Sequence, residues 1–239
     1  MELRGAAALV TGASRGLGAA LSAELLRRGA RVALVARGER ELMRQVERLR
    51  AEGGEAHALV ADVADKQAVY PLAGAACALL GPIDVLVHNA SELGALPLRT
   101  LAETECEDLA RVLEANLIGP FRLTKALIGQ MTLRRRGLVL AVSSDAGVAA
   151  YPRWGGYGVS KAALDHLTRS WAAELEGSGV RFLNVDPGEM DTRMHRDAMP
   201  DADPAALAPP ERVARRLADV IAASEAHPSG ARLTLAEAA

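Results

Sequence analysis

A short apolar run, Ala7-Ala8-Leu9-Val10, leads into Thr11-Gly12-Ala13-Ser14-Arg15-Gly16-Leu17-Gly18, and a helical pattern starts at once. Three glycines at this spacing let the backbone turn sharply and keep Cβ atoms out of the way of an approaching pyrophosphate. The helix after them would aim unpaired N–H groups and a partial positive charge back at the turn. Glycines elsewhere in a chain say little. Between a first strand and a first helix they predict a dinucleotide site. No Gly-Lys-Ser/Thr ending is present, which disfavours a P-loop nucleotidase.

Strand–helix alternation continues along the chain. Val/Leu/Ala-rich runs at 6–10, 31–36, 56–60, 85–88, 138–142, 181–185 and 232–235 predict strands. Helical patterns lie near 16–28, 39–52, 66–80, 103–134, 157–176 and 210–224. Runs apolar throughout, such as Val32-Ala33-Leu34-Val35, fit strands covered on both faces. The expected fold class is α/β: a doubly wound, Rossmann-type parallel sheet of about seven strands with helices on both faces. The 239 residues, half of them apolar, suffice for one well-buried domain and are few for two. Residues 1–239 are therefore read as a single domain. Residues 189–210 break the pattern with Pro200, Pro204 and Pro209. They come after a strand's carboxyl end, so a lid over the ligand crevice is expected rather than a surface loop.

The net charge of −2 gives no support for nucleic acid or an anionic membrane surface. No apolar run approaches the roughly 20 residues of a membrane span, and the first residues lack the basic start and apolar core of a signal peptide. Cys77 and Cys106 form no spaced motif and read as reduced thiols of a cytoplasmic protein. No metal site is expected.

The residues just past the second predicted strand indicate which dinucleotide fits. An NAD site usually places a carboxylate there for the ribose 2′-hydroxyl. Here the residues are Ala36-Arg37, and Arg15 lies in the glycine turn. Two arginines and a missing acid favour a 2′-phosphate, hence NADP(H) over NAD(H). Tyr157 and Lys161 are four apart at the start of a predicted helix and share a face. A nearby ammonium would lower the pKa of the phenol. Ser143-Ser144, ending the fifth predicted strand, brings hydroxyls to the same edge of the sheet.

Taken together, these motifs resemble the short-chain dehydrogenase/reductase family in its single-domain form, over nearly the whole chain. The cofactor motif matches as Thr11-Gly12, Gly16 and Gly18, with Ser14, Arg15 and Leu17 within it. Asp62-Val63 matches the adenine-side pair, and Pro187-Gly188 the turn after strand six, with Thr192 at the carboxamide position. The family's catalytic set falls on Asn116, Ser144, Tyr157 and Lys161. The resemblance implies a cytoplasmic oxidoreductase, a homodimer or homotetramer. It would move hydride between nicotinamide and a small carbonyl or alcohol, with Tyr157 as acid or base and Asn116 holding a relay water. A non-catalytic NADP(H) sensor on the same fold is the alternative, but a sensor has no need of all four residues.

Two positions depart from the pattern. The family's Asn-Asn-Ala-Gly reads His88-Asn89-Ala90-Ser91; Asn89 and Ala90 match, while Ser91 is expected to shift the backbone near the cofactor. The customary Gly-Gly tail is absent after residues 229–235. His88 is read as a packed strand-end residue. Arg134-Arg135-Arg136 is read as complementing a helix dipole, with docking of an acidic carrier protein as the other reading. Trp154 either lines the substrate pocket or fills a gap, and Glu189 and Met190 could border the nicotinamide. The apolar surplus along 162–175, with Trp171, fits either a subunit interface or a thick core.

Overall fold

The computed structural model describes residues 1–235. Seven parallel strands form one sheet in the order β3-β2-β1-β4-β5-β6-β7. They are β1 (Ala7–Thr11), β2 (Arg31–Ala36), β3 (Ala56–Val60), β4 (Val85–His88), β5 (Gly137–Val142), β6 (Val180–Asp186) and β7 (Arg232–Thr234). The order reverses between β1 and β4, so a crevice opens there at the carboxyl ends of the strands.

Helices cover both faces because the strands are apolar on both. Ala8 and Val10 of β1 face a layer made of α1 (Gly16–Arg27), α2 (Glu39–Ala51) and α8 (Pro210–Ala222). Ala7 and Leu9 point the other way, toward α3 (Lys66–Leu80), α5 (Gly119–Leu133) and α6 (Gly155–Glu174). Successive side chains of a strand alternate between faces, so one strand feeds two cores. Leu21, Leu25, Val46 and Leu217 fill the first; Val69, Leu123, Leu127 and Phe182 fill the second.

The stretch predicted as one helix over 103–134 is not one. A 3-10 turn at Leu101–Glu103 precedes α4 (Cys106–Leu113). A π-helical turn at Glu114–Ile118 then joins α4 to α5. Pro120 lacks an N–H and cannot continue the ordinary helical ladder, which favours the wider turn. That turn swings Asn116 inward to full burial. Elsewhere the predicted ends differ by one or two residues, as for α6, which starts at Gly155.

The arginine triplet has a role beyond the dipole. Arg134 and Arg136 reach Asp84 Oδ1 at 2.8 and 3.3 Å, and Arg135 donates to the Gly177 carbonyl at 2.8 Å. Asp84 Oδ2 also accepts from the Ala7 amide at 3.1 Å. The triplet thus braces the sheet at the end away from the crevice. Trp171 stacks between Phe121 and Phe182, at 5.9 and 6.3 Å, so its ring serves the intramolecular core. No helix among the described residues is long and apolar enough to cross a membrane.

Candidate active site

The glycine turn is shaped by its neighbour as much as by any ligand. Gly12 and Gly16 have φ of +66° and +56°, a region that favours glycine. A Cβ on Gly12 would meet Ala90 Cα at 2.8 Å, and one on Gly18 would overlap Asn89 Nδ2. Asn89 Nδ2 donates to the carbonyls of Thr11 and Gly12 at 2.9 and 3.1 Å. The Thr11 hydroxyl accepts from the amides of Asn89 and Ala90, at 3.0 and 3.1 Å, and donates to the Val87 carbonyl at 3.1 Å. The end of β4 therefore clamps the turn after β1. Gly18 and Asn116 lie behind the cavity wall, and the Leu17 side chain is buried in the core, leaving its main chain for a ligand.

Among the described residues no side chain caps α1, so its first N–H groups stay available to an anion. The turn borders a cavity of about 1800 Å³. That exceeds the roughly 300–1,000 Å³ of ordinary small-ligand pockets and leaves room for a dinucleotide and a substrate together. At the end beside β2 and β3 Arg37 lies 3.6 Å from Asp62 and 3.8 Å from Glu92, and Arg15 lies 3.8 Å from Glu41. Each guanidinium is largely exposed, and these long, loose pairs are ones a phosphate could displace. Glu92, which no sequence motif singles out, is itself held by Arg111 at 2.6 Å.

Beyond the ends of β5 and β6, Ser144, Tyr157 and Lys161 line the cavity together. Lys161 is 1% exposed; its ammonium donates to the Val142 carbonyl at 2.8 Å and lies 5.5 Å from the centre of the Tyr157 ring. Burial pulls Lys161 down to about 8, against the opposing pull of Asp165 and Asp186. Tyr157 behaves otherwise than the sequence predicts. Burial pushes its phenol up to about 12; the Ser144 and Ser91 hydroxyls favour the phenolate, and Asp145 and Asp186 oppose it. Burial, and not the expected acidification by Lys161, sets the direction for this phenol.

Ser144 donates to Asp145 Oδ1 at 2.9 Å, and the Tyr151 hydroxyl donates to Asp145 Oδ2, also at 2.9 Å. Asp145 stands next to Ser144 in the sequence, yet no motif includes it and sequence reasoning passes it by. The Ser91 hydroxyl is buried beside the Tyr157 phenol, and its only approach among the described residues is this one, short of good hydrogen-bond geometry. Ser91 is not among the residues with positive φ, so serine fits this loop without left-handed strain. Asn116 holds the next residue: its Oδ1 accepts from the Glu92 amide at 2.7 Å, and its Nδ2 donates to the Glu92 carbonyl and to Ser160 Oγ, both at 2.9 Å. Both amide hydrogens of Asn116 are thus committed.

The remaining wall comes from β6 onward. Asp186 Oδ1 accepts from the Gly188 amide at 3.1 Å, shaping the Pro187-Gly188 turn. Thr192 caps α7 (Arg193–Ala198), accepting from the His195 amide at 3.2 Å, and its methyl would lie 3.5 Å from a Cβ on Gly16. Residues 189–210 wall the cavity and fold back on themselves through a bridge between Met190 and Ala208. Glu189 and Met190 line it, as does Trp154, whose ring meets Tyr157 edge-on at 5.7 Å. His88 sits behind, 2.8 Å from the Thr124 hydroxyl, and burial, with a smaller push from the Lys161 charge, takes it down to about 3.

A family model described as short chain dehydrogenase matches residues 6–203. Among curated proteins, a short chain dehydrogenase of Pseudocercospora fijiensis is 38% identical over 81% of this chain, which spans 62% of that protein's length. A solved short chain dehydrogenase from Pseudomonas syringae superposes with a TM-score of 0.91 at 31% identity, covering 98% of this chain and 95% of the other. An actinorhodin polyketide ketoreductase solved with NADPH superposes with a TM-score of 0.87 at 29% identity, over 95% and 94% of the two chains.

Proposed function

The chain belongs to the short chain dehydrogenase family, and from that premise we propose that it is an NADP(H)-dependent oxidoreductase interconverting a small carbonyl and its alcohol. The observation that carries this reading is the shared wall of Ser144, Tyr157 and Lys161 in a cavity bordered by the glycine turn. When bound, the nicotinamide supplies or accepts the hydride.

Ser144 and Tyr157 would hold the carbonyl oxygen between their hydroxyls. To do so Ser144 turns its hydrogen from Asp145 to the substrate. In reduction the carbonyl carbon gains the hydride and its oxygen gains the Tyr157 proton. A phenol held up to about 12 is neutral at pH 7 and has that proton to give. In oxidation the flow reverses, and Tyr157 must act as base. The Lys161 ammonium, 5.5 Å from the ring centre, is the positive charge this chain offers to the phenolate.

Lys161 spends one of its three N–H donors on Val142. Two remain for a ribose hydroxyl and for a water that returns the proton to Tyr157. With the Asn116 amide hydrogens engaged on Glu92 and Ser160, the main chain of the π-turn is the better holder of that water. Arg15 and Arg37 would bind the 2′-phosphate, supported by the NADPH-bound ketoreductase of similar fold. Residues 189–210 would close over the substrate, with Trp154, Met190 and Met199 giving it an apolar side.

The test is a screen of ketones, quinones and carrier-linked ketoesters with NADPH and NADH side by side. The reading expects at least one carbonyl class to oxidise NADPH faster than NADH. No turnover with either nucleotide would refute it.

A further inference from the structure

One guanidinium near the C-terminal end of the described chain reaches every element that carries the reacting groups. Arg232, on β7, donates through Nη2 to the Ser144 carbonyl at 2.9 Å and to Asp186 Oδ2 at 3.0 Å. Its Nε donates to Asp165 Oδ2 at 3.1 Å, and Nη1 to the Thr234 hydroxyl at 3.3 Å. Ser144 ends the run from β5. Asp186 ends β6, and its other oxygen holds the Gly188 amide. Asp165 lies one helical turn after Lys161 on α6.

We propose that Arg232 is a positioning residue for the reaction: it fixes the backbone of Ser144 against β6 and α6, and balances the carboxylates behind Lys161. This rests on the catalytic reading of Ser144, Tyr157 and Lys161. Asp165 and Asp186 are each 4% exposed, so their charges are barely screened by water. A buried carboxylate pair without a cation would be costly. Arg232 supplies the cation, and its planar fork suits three acceptors in different directions, which an ammonium does not.

Charge around the site comes from several elements. Lys161 and Asp165 stand on α6, Asp186 on β6, Arg232 on β7, Asp145 just after β5, and His88, kept neutral, on β4. Both Asp165 and Asp186 raise the Lys161 pKa, and Asp186 raises that of Tyr157. Removing Arg232 leaves these carboxylates with Lys161 as the cation they act on. Lys161 and Tyr157 must then both titrate at higher pH.

The experiment compares wild type, Arg232→Met and Arg232→Lys in NADPH-dependent reduction across pH, after thermal unfolding shows each is folded. Arg232→Met should lose on the order of 10- to 100-fold in kcat, the scale of a catalytic group displaced by about 1 Å. Its alkaline limb in kcat/KM should move upward by about half a pH unit or more. Arg232→Lys should keep the limb near its wild-type position yet still lose turnover, because one ammonium cannot span Ser144, Asp186 and Asp165. A merely structural role would leave the limb in place in both variants. Arg232→Met with a wild-type limb and kcat within about twofold overturns the proposal. If Arg232→Met does not fold, wild-type kcat in Arg232→Lys overturns it. The Lys161 titration, followed by NMR of lysine-labelled protein, needs no turnover. It should rise in Arg232→Met, and an unmoved titration overturns the proposal even if the enzyme reading fails.

Discussion

The Lys161 ammonium lies 5.5 Å from the centre of the Tyr157 ring, and the two groups leave their ordinary ranges in opposite directions. Burial lowers the lysine to about 8 and raises the tyrosine to about 12. At pH 7 both still carry their protons. The pair is therefore set to give a proton, which suits carbonyl reduction, and needs added positive charge before it can take one.

This predicts a pH profile. Tyr157 stays protonated throughout the practical range, so Lys161 sets the alkaline limb of kcat/KM for reduction. Activity should hold up to about pH 7 and decline as pH rises through about 8, when the ammonium is lost. A steady-state profile from pH 6 to 10 checks this. A rate that stays flat to pH 10 would count against the role given to Lys161.

The glycines of the turn should differ in how strongly each resists alanine. In Gly18→Ala the new methyl overlaps both Asn89 Nδ2 and the Gly12 carbonyl. The cost should be about 1–3 kcal/mol, the range for overpacking. In Gly16→Ala the methyl meets only Thr192 at 3.5 Å, and the remaining cost is a φ of +56°. That should be about 1–2 kcal/mol. Urea unfolding should rank Gly18→Ala below Gly16→Ala. The reverse order would mean that the Asn89 clamp is looser than its distances.

Arg37 should select the cofactor. Its loose pairs with Asp62 and Glu92 can yield to a 2′-phosphate, and hydrogen bonds to a charged group contribute about 1.5–3 kcal/mol each. Arg37→Asp should thus raise KM for NADPH on the order of 10- to 100-fold and leave that for NADH little changed. An unchanged NADPH/NADH ratio of kcat/KM would assign the selection elsewhere, with Arg15 the next residue to vary.

The fold is legible in the sequence because fully covered strands leave an unbroken apolar signature, as in Val32-Ala33-Leu34-Val35, and because the glycine turn stands between the first strand and first helix. The break at Glu114–Ile118 is not, because apolar spacing runs across it; only Pro120 marks it. Local motifs bring Ser144, Tyr157 and Lys161 to one wall. What they cannot supply are effects from distant segments. The pKa of Tyr157 answers to burial and to Asp145 and Asp186 rather than to the lysine on its own helix. Asn89, read as a cofactor contact, spends its amide on the glycine turn. Arg232 meets Ser144 only because β7 pairs with β6.

The most direct test is Tyr157→Phe, assayed for NADPH binding by fluorescence titration and for turnover on a substrate that wild type accepts. The variant keeps the ring that packs against Trp154 and loses only the hydroxyl. Binding should stay within a few-fold of wild type, while kcat should fall by at least the roughly 10²–10⁴-fold attributed to a general acid. Near-wild-type turnover with intact binding would contradict the assignment of Tyr157 as the proton donor.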